Sequence, residues 1–263
     1  MKTNAWIAPF VLALATACLP SPTFAALLFD GSYSQDFNGL SSAGNANTWT
    51  DNSTISGWYS DENNFDANAG NSTSGGLYSF GTGTGSDRAL GSIASSATAT
   101  LYFGLALQNT SGGNLTALSI SYRGEQWRRG DNLNTLVFEY FVGTPTAIGS
   151  SQGGWTGVSG LNFTGPQSGT PSTALDGNNS ANYSDISFTI TGLNIANNSD
   201  LWFRWRDADD TGADAGLAID NFTITAVPEP THLALGLFGI GLLAVSGTRA
   251  WRRRRLIHRR TAH

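Results

Sequence analysis

Two segments of this chain combine tryptophan, arginine and carboxylate side chains at strand-like spacing, and both have the chemistry to bind a sugar. They are Gly124–Arg128 and Arg204–Phe222. Side chains at alternate positions share one face of a strand. On such a face, indole rings can stack on sugar CH groups while guanidinium and carboxylate groups bond to hydroxyls. The candidate ligand-binding residues are Trp127, Trp202, Arg204 and Arg206.

Packing is the alternative role for these residues, and the regular strand pattern favours it. Arg204 or Arg206 would then pair with Glu125 or with an aspartate across the sandwich. The guanidinium group would stack on the indole ring of Trp127 or Trp202.

An aspartate-rich stretch follows the two arginines of the second segment and resembles the start of a calcium loop. Oxygen-bearing side chains stand at alternate positions, and Gly212 permits a sharp turn. A calcium loop would end in a glutamate, but Ala218 occupies that position, so a solvated acidic turn is the alternative. The candidate calcium ligands are Asp207, Asp209, Thr211 and Asp214.

Residues 26–226 contain no histidine, cysteine or lysine, which excludes several catalytic mechanisms from this segment. A Ser-His-Asp or Cys-His nucleophile, a histidine-ligated metal and a Schiff base all need one of these residues. An enzyme acting on carbohydrate would have to use paired carboxylates, and no spacing identifies such a pair. We therefore expect a non-catalytic protein, with a carboxylate-dependent carbohydrate-active enzyme as the alternative.

Charge divides the chain into an acidic body and a basic tail. The whole chain has 14 Lys+Arg and 19 Asp+Glu, a formal net charge of −5. Residues 26–227 hold six arginines and 18 acidic residues, which gives −12, whereas the residues after position 230 hold seven arginines and no acid. The acid excess of the body argues against binding to nucleic acid.

Residues 1–25 have the pattern of a secretory signal peptide, which signal peptidase would remove. Lys2 precedes an apolar run, and small residues end the segment at Ala25. An N-terminal membrane span fits less well because the run is short and prolines follow it. Cys18 suggests a lipoprotein, but Ala15 stands where such a site usually has leucine, so we assign Cys18 to the discarded peptide.

The C-terminal part predicts a membrane helix over residues 233–250. Eighteen residues span about 27 Å, close to the ~30 Å hydrocarbon core of a bilayer. The arginine-rich tail over residues 251–263 would stay cytoplasmic, with Arg252, Arg253, Arg254 and Arg255 as the membrane stop. Nucleic-acid binding by this tail is the rival interpretation, and the apolar span before it argues against that.

Four residues precede this predicted helix: Val227, Pro228, Glu229 and Pro230. Pro-Glu-Pro, an apolar helix and an arginine cluster at the C-terminus together resemble the PEP-CTERM sorting signal. The resemblance implies processing by the membrane protease-transpeptidase exosortase in a Gram-negative bacterium that makes exopolysaccharide. It also implies an inner-membrane anchor during sorting, followed by delivery to the cell surface or extracellular matrix. A permanent single-pass anchor is the alternative.

The body over residues 26–226 is predicted to be all-β. Period-two alternation marks strands at residues 101–107, 118–123, 136–142 and 186–190, and a phase change near Asp220-Asn221 predicts a β-bulge. We expect an antiparallel two-sheet, jelly-roll-like sandwich of about ten strands. The two tryptophan-arginine segments also resemble a β-sandwich domain of bacterial secreted and PEP-CTERM proteins, a resemblance that implies no catalytic residues.

The sequence thus divides into a signal peptide (1–25), a β-sandwich ectodomain (26–226) and a sorting signal (227–263). We expect a surface-sorted protein of the exopolysaccharide or biofilm matrix, whose ectodomain binds polysaccharide. A purely structural coat protein is a further alternative.

Overall fold

The computed structural model describes residues 25–228. The predicted membrane helix, the arginine tail and all of the predicted signal peptide except Ala25 lie outside these residues. Within them, no helix is long and apolar enough to cross a membrane.

The described part of the chain forms fifteen strands and one short 3-10 helix. The strands are β1 (Leu27–Phe29), β2 (Ser32–Gln35), β3 (Asn47–Thr48), β4 (Trp58–Ser60), β5 (Asn64–Asn68), β6 (Gly76–Phe80), β7 (Ala89–Ile93), β8 (Leu101–Asn109), β9 (Leu115–Arg128), β10 (Thr135–Val142), β11 (Thr156–Gly157), β12 (Phe163–Thr164), β13 (Tyr183–Ile195), β14 (Asp200–Asp207) and β15 (Gly216–Ala226); the 3-10 helix is Ser159–Leu161.

These strands form two sheets, which confirms the predicted all-β sandwich. A seven-stranded sheet has the order β1-β8-β14-β10-β11, with β4 on β8 and β12 on β10. An eight-stranded sheet has the order β13-β9-β15-β7-β6-β5-β3, with β2 on β15. The strands outnumber the ten expected, because several have only two or three residues and show no alternation. Two strand pairs, β1 with β8 and β5 with β6, are parallel rather than antiparallel.

The main core lies between the two sheets and is rich in aromatic rings. Trp205 stacks with Trp58 and with Phe103, and its ring meets Phe222 of the facing sheet edge-on. Leu201 and Phe203 share this face of β14, as period two requires. Burial of these large rings, together with the aliphatic side chains around them, stabilises the fold through the hydrophobic effect.

Each sheet also carries a smaller apolar cluster outside the main core. On the eight-stranded sheet, Tyr78, Phe80 and Trp127 pack with Ala89 and Ala218. On the seven-stranded sheet, the cluster consists of Tyr59, Ala106, Ile148 and Trp202. Loop segments therefore cover part of both outer faces.

The predicted bulge in β15 is confirmed. The register between β15 and β9 shifts between Asp220 and Thr223. Asn221 adopts a φ of 51°, in the left-handed region that asparagine tolerates better than most residues. The extra residue brings Leu217 and Ile219 onto the same core face as Phe222 and Ile224.

The direction of β15 defines two opposite ends of the sandwich. Gly216 lies beside Arg128, the last residue of β9, and Ala226 lies beside Leu118 near the start of β9. At about 3.3 Å per residue, the eleven residues of β15 separate the two ends by about 35 Å. The loop between β14 and β15 lies at the Arg128 end.

Candidate functional site

A cavity of about 400 Å³ lies at the Arg128 end of the sandwich. It is bounded by the end of β7, by Arg128 and by the loop between β14 and β15. Its polar lining consists of Thr73, Ser95, Ser96, Arg128, Ser172, Asp209, Asp210 and Asp214. Both segments identified in the sequence reach this cavity, because Gly124–Arg128 supplies the arginine and Arg204–Phe222 supplies the three aspartates.

Arg128 is a nearly buried cation without a carboxylate partner among the described residues. Its side chain donates from Nη1 to the carbonyl of Gly70 (3.3 Å) and from Nη2 to Ser172 Oγ (2.9 Å). The residue is only 7% exposed, and no acidic group of residues 25–228 forms an ion pair with it. Its positive charge is therefore available to interact with a ligand in the cavity.

The opposite wall is acidic and is held in place by hydrogen bonds. The backbone N–H of Asp210 donates to Asp214 Oδ1 (3.1 Å), and Asn134 Nδ2 also donates to that oxygen (3.3 Å). Burial, together with repulsion from Asp209 and Asp210, raises the pKa of Asp214 to about 6. A protonated Asp214 could donate a hydrogen bond, and carboxylate oxygens of the same wall could accept one.

Asp207 is separate from this wall. It lies between the sheets and accepts a hydrogen bond from Ser92 Oγ (2.7 Å). Burial raises its pKa to about 7, and the Ser92 hydrogen bond opposes that shift. Asp207 therefore helps to join the two sheets rather than to line the cavity.

The four predicted calcium ligands are thus divided between two places. Asp207 faces Ser92, whereas the backbone carbonyl of Thr211 accepts from Asn132 Nδ2 (2.6 Å). Residues 25–228 include no group of three or more histidine, cysteine, aspartate or glutamate side chains placed to hold a metal. The described conformation does not fit a metal bound by all four residues. Calcium binding by this loop stays a prediction, which requires that calcium raise the melting temperature and that Asp209→Ala abolish the rise.

Trp127 is a packing residue in the structure. Its indole stacks on Phe80 at a ring separation of 6.1 Å. Gly177 packs against the same indole so closely that a Cβ on this glycine would lie 2.4 Å from the indole atoms Cε2 and Nε1. The indole Nε1 donates to Glu125 Oε2 (2.9 Å). Because its ring is covered in this way, a sugar cannot stack on it without a rearrangement.

Trp202 and Arg204 lie on the other sheet and are also buried. Arg204 Nη2 pairs with Glu139 Oε2 at 2.7 Å. Its guanidinium lies 3.8 Å from the ring centre of Trp155 and 4.5 Å from that of Tyr102. The packing alternative is therefore the one that this geometry supports for Arg204, although its partners are Glu139 and Trp155 rather than Glu125 and the predicted indoles.

The four candidate ligand-binding residues do not form one surface. Trp127 lies on the eight-stranded sheet, whereas Trp202, Arg204 and Arg206 lie on the seven-stranded sheet. Arg206 is half-buried, opposite Tyr102 of β8 and Val137 of β10. The hydroxyl residues of the cavity come from loops without a motif, so the sequence offered no signal for them.

Comparisons with known proteins bear mainly on the C-terminal end. The family model for the PEP-CTERM protein-sorting motif matches residues 226–255. This all-β chain therefore carries a PEP-CTERM protein-sorting motif, which implies exosortase processing and a surface destination. No curated protein matches the chain.

Three solved structures show distant similarity to this chain. The CBM22-1 xylan-binding domain of Paenibacillus barcinonensis Xyn10C is 12% identical, with a TM-score of 0.34, over 78% of this chain and 99% of that one. The K2 cleaved adhesin domain of Lys-gingipain is 14% identical, with a TM-score of 0.36, over 74% and 98%. The arabinofuranosidase MgGH51 is 10% identical, with a TM-score of 0.39, over 76% and 29%. At TM-scores below 0.5, these similarities carry no argument about a ligand.

Proposed function

We propose that this is a non-catalytic, surface-sorted protein of the exopolysaccharide or biofilm matrix, and that it binds polysaccharide in the cavity beside Arg128. The observation that carries the proposal is the unpaired guanidinium of Arg128 in a cavity of about 400 Å³. This volume is within the range of small-ligand sites.

The lining matches the groups that a saccharide offers. Sugar hydroxyls both donate and accept hydrogen bonds, and the cavity presents donors from Arg128 and acceptors from Asp209 and Asp210. Serine and threonine hydroxyls, such as that of Ser96, can do either. The sorting motif at residues 226–255 supports the location, because it directs the chain to the surface where such polymers occur.

A substitution that fills the cavity tests the proposal. Ser96 is exposed and lines the cavity, whereas its neighbour Ala97 is exposed and does not. We expect Ser96→Trp to reduce retention on the exopolysaccharide of the producing strain at least tenfold, and Ala97→Trp to leave it unchanged. Affinity electrophoresis in gels containing that polysaccharide measures both. Equal retention of the two variants would refute the cavity as the binding site.

The second candidate function is a carboxylate-dependent glycosidase acting in the same cavity. Asp214, with its raised pKa, lies beside Asp209, and two carboxyl groups are the side chains that most glycoside hydrolases use. Release of reducing ends from the bound polysaccharide, abolished by Asp214→Asn, would favour this function over simple binding.

A further inference from the structure

The β13 strand is an unusual sheet edge. The edges of the seven-stranded sheet are formed by β1, β4, β11 and β12, of two or three residues each, and the far edge of the eight-stranded sheet is β3, of two residues. Short edge strands are a common protection against pairing with other chains. By contrast, β13 has 13 residues, no proline or lysine, and a single charged side chain, Asp185.

The register shows which backbone groups of β13 remain unpaired. The N–H of Gln126 donates to the carbonyl of Asn182 (2.8 Å). In an antiparallel pair the hydrogen-bonding residues alternate, so the even-numbered residues of β13 up to Ile190 face β9. Even-numbered residues of β9 bond to β13, so its odd-numbered residues should bond to β15. The N–H of Val227, which follows β15, donates to the carbonyl of Ala117 (3.0 Å), as this alternation requires.

Five residues therefore direct their backbone N–H and C=O groups away from the sheet. They are Tyr183, Asp185, Ser187, Thr189 and Thr191, all before the register break that follows Thr191. No other strand of the described residues pairs with this edge. The edge thus presents five evenly spaced donor–acceptor pairs along one line.

We propose that β13 pairs antiparallel with β13 of a second copy of this chain, about a two-fold axis through Phe188. Residues that face each other in an antiparallel pair point to the same side of the sheet. An axis through a residue sets even-numbered residues opposite even-numbered ones, so the core faces of both copies lie on the same side of the joined sheet. An axis between two residues would not do this. Centring it on Phe188 places Ser187 opposite Thr189 and Asp185 opposite Thr191.

This register pairs four of the five outward-facing residues and leaves Tyr183 opposite Leu193, beyond the register break. Each opposed hydrogen-bonding pair exchanges two hydrogen bonds, so the four residues of each copy would form about eight bonds between the copies. An axis through Ser187 would pair all five outward-facing residues but would set Phe188 opposite Ile186 instead of opposite the second Phe188. An axis through Asp185 would bring two carboxylates together.

The side chains of the edge fit the same register. Phe188 is 44% exposed, and in this arrangement it faces its counterpart across a non-hydrogen-bonded pair, where side chains approach most closely. Asp185 meets the neutral Thr191 and keeps its ion pair with Arg123 (2.9 Å). The pairing therefore covers an exposed ring without placing like charges together.

The result is a closed dimer rather than a fibre. A two-fold contact uses the same surface on both copies and leaves no further β13 edge free. Each dimer would present two cavities, so a polymer that binds both would be held by more than one contact. The dimer does not depend on what the cavity binds.

A proline substitution in β13 tests the proposal with a matched control. The N–H of Ser187 points away from β9, so Ser187→Pro removes an edge donor and no hydrogen bond of the sheet. We expect the full chain and Ser187→Ala to be dimers, and Ser187→Pro to be a monomer with a similar melting temperature. Light scattering of the full chain in detergent, corrected for the micelle, measures the mass. A monomeric unmodified chain, or equal masses for the proline and alanine variants, would overturn the proposal.

Disulfide trapping tests the register without relying on a proline variant. In a Cys18→Ser background the chain has no other cysteine. Phe188→Cys should then form a covalent dimer under mild oxidation, because position 188 faces itself at a distance that suits a disulfide. Thr191→Cys faces Asp185 and should not. Failure of Phe188→Cys to cross-link, or cross-linking of both variants to the same extent, would exclude this register.

Discussion

Glu125 and Asp220 form a pair of buried carboxyl groups on neighbouring strands. They are 2% and 3% exposed, and both point to the outer side of the eight-stranded sheet. Burial, and then repulsion from Asp220, raises the pKa of Glu125 to about 8, and burial raises that of Asp220 to about 7. Among the described residues, Glu125 Oε1 has no hydrogen-bond partner. These groups are best accommodated when protonated.

The stability of the fold should therefore fall as these groups ionise. A carboxyl whose pKa is higher in the folded state contributes stability below its unfolded pKa of about 4.3, and that contribution is lost as the pH rises through about 8. A one-unit difference in pKa corresponds to about 1.4 kcal/mol. We expect Glu125→Gln to raise the unfolding free energy relative to the unmodified chain. This increase should be a few kcal/mol larger at pH 9 than at pH 5.

Urea denaturation at these two pH values measures the gain in unfolding free energy. Asp30→Asn, at an exposed position, is the control and should show little difference between pH 5 and pH 9. A gain for Glu125→Gln that is the same at both pH values would contradict the assignment of a buried, protonated Glu125.

Strands that are buried on one face are the elements that the sequence predicts best. The alternating runs at residues 101–107, 118–123, 136–142 and 186–190 lie within β8, β9, β10 and β13. In β9, β10 and β13 a core face alternates with a more polar face, which produces the period-two signal. In β8, large apolar residues alternate with Tyr102, Gly104 and Ala106. By contrast, β7 is buried at every position, so its sequence Ala-Leu-Gly-Ser-Ile contains no alternation to detect.

Pairing between distant elements could not be predicted from the sequence. Glu139 and Arg204 are directly opposite each other in the β10–β14 register, but this is set by the whole sheet rather than by local spacing. Trp155 reaches Arg204 from the connection between β10 and β11, a segment whose sequence suggests only turns. The same limit applies to the cavity, because the segment Gly124–Arg128 was identified in the sequence, but nothing there indicated that Arg128 and Asp210 line one cavity.

The two ends of the sandwich, defined by the direction of β15, carry different features. The sorting motif begins at the end of this strand, where the N–H of Val227 is still bonded to Ala117. The cavity lies at the other end, about 35 Å away by the length of the strand. A sandwich attached to a membrane through its C-terminal end would therefore direct the cavity outward.

Two variants at the C-terminal end separate a sorting signal from a permanent anchor. All fifteen strands end by Ala226, so deletion of residues 228–263 should leave the melting temperature of the sandwich unchanged and release the protein into the medium.

Replacement of Pro228, Glu229 and Pro230 by alanine keeps the predicted helix and the arginines. If exosortase reads the motif, this variant should accumulate at the inner membrane as an uncleaved, longer chain, which fractionation and immunoblotting would detect. A permanent anchor predicts that the alanine variant and the unmodified chain have the same length and location, and that result would refute sorting by this motif.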